Sequence, residues 1–118
     1  MSLVYLAVPY THDEPEVREA RFHAVNKCAA DMMRKGIHVF SPISHTHPIA
    51  MDSDFPLPTD WEYWKNYDFA VLRCCKKLVV LQLEGWEKSK GVTGEIELAK
   101  QLGIIIEYLP AGEYQVNL

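Results

Sequence analysis

Glu95 stands where a helical repeat calls for an apolar side chain. After Gly91, the residues Val92, Ile96 and Ala99 recur at helical spacing and mark a face that should pack on a sheet, and Glu95 falls beside them. Glu97 lies on the opposite side with Lys100 and Gln101 and reads as an ordinary solvated residue. A carboxylate on the packing side is costly unless it is paired or used. Placed in the first turn of its helix, it gains from the positive end of the helix dipole, which favours the ionised form. An ionised carboxylate at a crevice is what nucleophilic attack on a sugar carbon requires. The plainer alternative is a glutamate that caps an amide or meets a lysine. Asp68 repeats the pattern, because it falls within a helical stripe made of Trp61, Trp64, Val71, Leu72 and Cys75. Its plainer alternative is a structural aspartate bonded to an amide or a tyrosine. Two such departures on neighbouring helices point to one site, since local violations of pattern concentrate at functional sites. Carboxyl groups in different environments can divide nucleophile and acid duties.

Ser89-Lys90-Gly91-Val92-Thr93-Gly94 leads into the Glu95 helix and offers a hydroxyl, an ammonium and backbone amides at a helix N-terminus, the elements of an anion cradle. It is neither a Walker A loop nor G-x-G-x-x-G, and a simple loop-to-helix turn explains its composition as well. His45 and His47, with Asp52 and Asp54 nearby, fall short of the three or four ligands on a firm scaffold that zinc wants, so no metal is expected. They are read as pocket-lining or surface residues. Trp61, Tyr63, Trp64 and Tyr67 form a dense aromatic cluster that core packing mostly explains, with an exposed ring available to stack a planar base.

These side chains need a frame, and the rest of the chain supplies one. Leu3 to Val8 is an apolar run stopped by Pro9 and reads as a strand buried on both faces. Pro15 opens a helix whose stripe is Val17, Ala20, Ala24, Cys28 and Met32, closed by Gly36. Ile37 to Phe40 make a second strand. Residues 42–59 hold four prolines and no periodicity, and are expected to form a long loop. Thr59 or Asp60 caps a helix running to about Cys75. Leu78 to Leu83 form a third strand, 84–91 a loop, Val92 to Leu102 a helix closed by Gly103, Ile104 to Leu109 a fourth strand, and 111–118 a tail. The alternation predicts an α/β fold with a doubly wound parallel sheet, three-layered and flavodoxin- or Rossmann-like, in strand order 2-1-3-4. Ligands in such folds bind beyond the carboxyl ends of the strands where the order reverses, here the loops at Pro9-Tyr10 and Glu84 to Gly91.

A chain of 118 residues fits one domain, 1–118, with a core that needs no disulfide or metal staple. A net charge of -4 argues against a nucleic-acid polymer or an anionic membrane as the main partner. Three cysteines, an odd number with no C-x-x-C pair, suit a reducing, cytoplasmic setting. No signal-peptide pattern and no apolar run near ~20 residues is seen.

Taken in order, these residues resemble the nucleoside 2-deoxyribosyltransferase superfamily. Tyr5-Leu6-Ala7-Val8-Pro9-Tyr10 looks like its opening motif, Ser41-Pro42 follows the second strand, Asn66-Tyr67-Asp68 matches its aspartate before the third strand, and Gly91 to Ile96 followed by Ala99 matches its G-x-x-x-E segment. The spacing of Ser89, Gly91 and Glu95 is also similar to that of the deoxynucleoside 5′-monophosphate N-glycosidases, in which the serine binds phosphate. The resemblance implies cleavage or exchange at the N-glycosidic bond of a nucleoside or nucleotide. Glu95 would be the nucleophile and Asp68 the group that protonates the leaving base or orients the sugar. Ser89, with the amides near Gly91, would hold a 5′ group, and Tyr5, Pro9 and Tyr10 would line the pocket. It implies no cofactor, and a homo-oligomer with the aromatic helix and the tail as contacts. Val8 stands where the family usually has glycine, Ser89 where transferases often have aspartate, and Lys77 where an aspartate often opens the third strand. With the short chain, these differences also fit a nucleotide-binding or sensor module of the same fold.

Overall fold

The computed structural model describes residues 2–52, 54 and 56–115. Two short apolar strands fix its centre. In β1, Val4–Ala7, Tyr5 and Ala7 face one side, while Leu6 and the following Val8 face the other. In β3, Lys77–Gln82, Leu78 and Val80 join the first side, and Val79 and Leu81 the second. Strands apolar on both faces must be covered on both, as in parallel sheets with crossover helices. The sheet is parallel throughout, in the order β2-β1-β3-β4, with β2 at Val39–Phe40 and β4 at Ile105–Pro110. The expected order is therefore the observed one. Helix α1, Pro15–Arg34, buries Ala24, Val25, Cys28 and Ala29 against Leu6, Val79 and Leu81. On the other face, α3, Trp61–Leu72, and α4, Lys90–Leu102, bury Leu72, Val92, Leu98 and Ala99 against Tyr5, Leu78 and Val80.

Helix ends follow local chemistry. The Asp60 side chain accepts from the Tyr63 amide at the start of α3, and the Ser89 side chain from the Val92 amide at the start of α4. Gly103, at φ 71°, closes α4 in the left-handed region that favours glycine.

The expected long loop at 42–59 is not one. Helix α2 spans Pro42–Asp52, with Pro48 inside it. Ser41 Oγ accepts from the Ser44 amide at 3.4 Å, so Ser41-Pro42 is an N-cap and first-turn proline, a start signal that the density of prolines concealed. Pro48 lacks the N–H that would complete the helical ladder. The helix persists because Thr46, His47 and Ala50 are buried, and Thr46 Oγ1 donates to the Pro42 carbonyl at 2.8 Å. The chain thus runs β-α-β-α-α-β-α-β. The second strand is shorter than expected, α3 ends at Leu72 rather than Cys75, and a 3₁₀ turn, Trp86–Lys88, occupies part of the loop after β3. A second 3₁₀ turn, Gly112–Tyr114, sits in the tail, whose last residues, 116–118, lie outside the described residues.

One boundary matters for chemistry. Helix α4 begins at Lys90, two residues before the expected start, so Glu95 lies in its second turn and not its first. The dipole's influence fades within the first turn, and the state of Glu95 must be set by its side-chain neighbours. Among the described residues, no helix is long and apolar enough to cross a membrane.

Leu81 is fully buried between β3 and α1. Leu81→Ala is expected to cost about 2–5 kcal/mol in urea unfolding, through lost burial and a residual cavity. A cost under about 1 kcal/mol would contradict this packing.

Candidate active site

A cavity of about 350 Å³ opens at the carboxyl ends of β1 and β3, the position where the strand order reverses. Its walls come from four places. The end of β1 gives Val8, Tyr10 and Thr11, and α2 gives Thr46 and His47. The start of α3 gives Trp61 and Trp64, with Asp68 one turn deeper, and the start of α4 gives Ser89, Lys90, Gly91 and Glu95.

Glu95 is only 4% exposed, and Tyr5, on the strand beneath it, is fully buried. The Tyr5 hydroxyl donates to Glu95 Oε2. The pleat of β1 turns Tyr5 toward α4, and the helical repeat turns Glu95 toward the sheet, so strand and helix meet through this bond. Burial pushes the Glu95 carboxyl up to about 8; the Tyr5 hydrogen bond pulls it down, and nearby Asp68 pushes it further up. Burial likewise raises Asp68 to about 7. Burial, followed by the charges of Glu95 and Asp68, holds the Tyr5 phenol well above its ordinary value. Tyr5 therefore remains a hydrogen-bond donor.

The hydrogen bonds separate the two carboxyls. Glu95 has a phenol donor, which favours the carboxylate. Asp68 Oδ1 is buried with no partner, which favours the neutral acid.

Of the residues anticipated from sequence, Glu95, Asp68, Tyr10, Ser89 and Gly91 border the cavity. Tyr5 and Pro9 do not line it as expected: both are fully buried beneath, Tyr5 because its ring points into the core below α4. The aromatic cluster is also not chiefly core. Tyr63 and Tyr67 are 50% and 45% exposed, while Trp61 and Trp64 are half-buried and form a wall of the cavity. The glycines of the Ser89 to Gly94 segment have a packing role. A Cβ on Gly94 would sit 2.9 Å from Trp61 Cζ2, and one on Gly91 3.2 Å from Trp61 Cε3, so both glycines admit the indole between α3 and α4.

His45 and His47 diverge, as residues two apart on a helix must. His45 stacks on Tyr67, with ring centroids 6.1 Å apart, and His47 turns toward the cavity. Among the described residues, no group of three His, Cys, Asp or Glu side chains is arranged to hold a metal ion. Sequence reasoning gave no role to Lys88 or Thr46, and left open which ring of the aromatic cluster could stack a planar base. Lys88 and Lys90 flank Ser89, the one local sign that this loop is basic.

The fold is similar to that of solved 2-deoxyribosyltransferases. The structure matches a 2-deoxyribosyltransferase from Leishmania mexicana with a TM-score of 0.60 and 18% identity, over 94% of this chain and 65% of that one. It also matches a 2-deoxyribosyltransferase from Bacillus psychrosaccharolyticus with a TM-score of 0.65 and 16% identity, over 98% and 77%. The chain thus spans about two thirds to three quarters of the length of these enzymes. No curated protein matches the sequence. The chain belongs to the family described as a domain of unknown function, DUF1937, whose model matches residues 2–108.

Asp68 and Glu95 both ionise at higher pH in the folded chain than their ordinary values of 3.8 and 4.5. Between about pH 4 and pH 8 the folded protein holds protons that the unfolded chain has released, so these groups make stability fall as pH rises through that window. Asp68→Asn is expected to flatten this dependence and to raise stability at pH 8 by on the order of 1–3 kcal/mol, with little change at pH 4. Thermal melts across pH check it; an equal shift at both pH values would contradict the assignment.

Proposed function

We propose that the protein cleaves or exchanges the N-glycosidic bond of a nucleoside or deoxynucleoside, or its 5′-monophosphate. The observation that carries this reading is the pair at the cavity base: a buried glutamate held by a phenol, beside a buried aspartic acid with a free oxygen. The likeness of fold to two 2-deoxyribosyltransferases supports it.

In this reading the Glu95 carboxylate attacks C1′ of the sugar. The C1′–N bond breaks and its electron pair leaves with the base, which takes a proton from the Asp68 carboxylic acid. The glycosyl ester on Glu95 is then resolved by water, whose proton returns to Asp68, or by a nitrogen of a second base. Tyr5 orients Glu95 and accepts part of its charge through the hydrogen bond, which must lengthen as the ester forms. Trp61 or Trp64 offers a face on which a planar base can stack. Ser89 Oγ accepts from the Val92 amide and keeps its own hydrogen free to donate. With Lys88 and Lys90 beside it at the start of α4, it suits a 5′-phosphate.

A non-catalytic nucleotide-binding or sensor module is the second reading. The upward push of burial on Glu95, to about 8, favours it, because a protonated glutamate is no nucleophile. The reading of the protein as a homo-oligomer belongs to the same proposal. It is supported by exposed Tyr63 and Tyr67 on α3 and by Ile105, 67% exposed, on the edge strand β4. The three free cysteines support a reducing, cytoplasmic setting.

The test is a product assay. Wild type and Glu95→Ala are incubated with deoxynucleosides, ribonucleosides and their 5′-monophosphates, with and without an acceptor base, and free base is followed by chromatography. Base release or exchange that Glu95→Ala reduces by at least about 10³-fold is expected, since removing a nucleophile costs several kcal/mol of barrier. Tight binding with no product from wild type would instead establish the sensor reading. Ser89→Ala should raise the KM for monophosphates about tenfold and leave that for nucleosides within about twofold, beyond a stability cost of about 1 kcal/mol from the lost cap. Light scattering that shows a monomer at working concentration would remove the oligomer.

A further inference from the structure

A second polar chain, centred on the buried His47, reaches the cavity. The Tyr10 hydroxyl, on the cavity wall, lies 2.5 Å from His47 Nδ1. His47 Nε2 lies 2.7 Å from Glu19 Oε2 on α1. His47 is only 6% exposed, and Phe22 packs on its ring with centroids 4.4 Å apart. Glu19 is half-exposed, and its other oxygen lies 3.3 Å from His23 Nε2.

With a neutral His47 imidazole, the donors and acceptors set the direction of this chain. A carboxylate only accepts, so His47 Nε2 carries the hydrogen toward Glu19. In the neutral imidazole Nδ1 then accepts, and Tyr10 donates to it. With the Arg18 guanidinium taking one lone pair, the Tyr10 oxygen is left with the other for the cavity. Such an oxygen can receive a hydrogen bond from a ligand hydroxyl or amine and offers nothing to a ligand acceptor. Without its neighbours the phenol would rotate and serve either way. The other charged groups nearby do not replace His47: the Arg18 guanidinium donates to the His12 carbonyl and also to the Tyr10 oxygen, which leaves the phenol hydrogen to His47, and His23 reaches only Glu19.

We propose that Tyr10 is a specificity residue that accepts a hydrogen bond from a hydroxyl or amino group of the substrate, and that His47 and Glu19 are positioning residues that hold it in that role. The proposal rests on the reading of the cavity as a nucleoside or nucleotide site and adds to it the residue that reads the donor group.

The experiment measures calorimetric affinity and base-release kinetics with deoxyadenosine and deoxyadenosine 5′-monophosphate. The variants are Tyr10→Phe, His47→Asn, His47→Gln and Glu19→Gln, with circular dichroism to confirm folding. Tyr10→Phe should weaken binding about 5- to 10-fold, the size of one hydrogen bond. Asparagine places a polar atom near the Nδ1 position, and glutamine near the Nε2 position. His47→Asn should therefore keep more affinity than His47→Gln, an order that a purely structural role for His47 would not produce. Combining Tyr10→Phe with His47→Gln should cost no more than Tyr10→Phe alone. Analogues lacking the 3′-hydroxyl or the 6-amino group identify the donor: the one that matters binds wild type and Tyr10→Phe equally.

If wild type binds or turns over these probes and Tyr10→Phe matches it, the proposal is wrong and the glycosidic reading stands. Additive losses in the double variant, or no analogue that erases the difference, would also overturn it. If wild type neither binds nor cleaves any deoxy- or ribonucleoside or monophosphate, the functional reading fails and the proposal falls with it.

Discussion

A phenol on the first strand holding a glutamate on the last helix is the interaction on which the rest of this structure depends. Glu95 is nearly sealed from water, in a place where an ionised carboxylate without a donor would be too costly to keep. Tyr5 supplies the donor, and burial keeps its own hydroxyl protonated. The bond also ties β1 to α4, elements separated by most of the chain. It can form only because β1 lies beside β3, the strand from which the chain crosses to α4. The strand order and the site are therefore one constraint seen at two scales.

Around that bond the cavity is built asymmetrically. One side holds the carboxyl pair, the indole wall and the basic start of α4. The other holds the Tyr10, His47 and Glu19 chain, anchored on α1 and α2. In the proposed reading the first side breaks the glycosidic bond. In the same reading the second recognises what is bound. Glycines at 91 and 94 let Trp61 lie flush against α4, so packing between two helices also shapes the wall of the site.

Much of this was legible in the sequence because the signals were local and periodic. Two-faced apolar strands require helices on both sides, and β-α alternation then leaves few topologies. Glu95 and Asp68 stood out because each interrupts a helical stripe. What was hidden has particular causes. Helix α2 was masked by Pro48, although Ser41-Pro42 is a proper start signal. The early start of α4 was masked because Ser89, its cap, also reads as part of a phosphate loop. Tyr5 was marked as a lining residue, yet strand pleat directs its ring under Glu95. The His47 chain joins three segments 9 to 37 residues apart in sequence, and no local pattern marks such a meeting; only the folded chain brings Tyr10, Glu19 and His47 together.

The central claim is that Glu95, held by Tyr5, is the group that forms a bond to the sugar. The most direct measurement is mass spectrometry of the protein after incubation with a 2-fluoro-2-deoxyarabinosyl nucleoside, whose fluorine slows breakdown of a glycosyl ester. The account predicts one added fluoroarabinosyl group, located by peptide mapping on Glu95 and absent from Glu95→Gln. Steady release of base from ordinary substrate with no adduct, or an adduct on another residue, would contradict it.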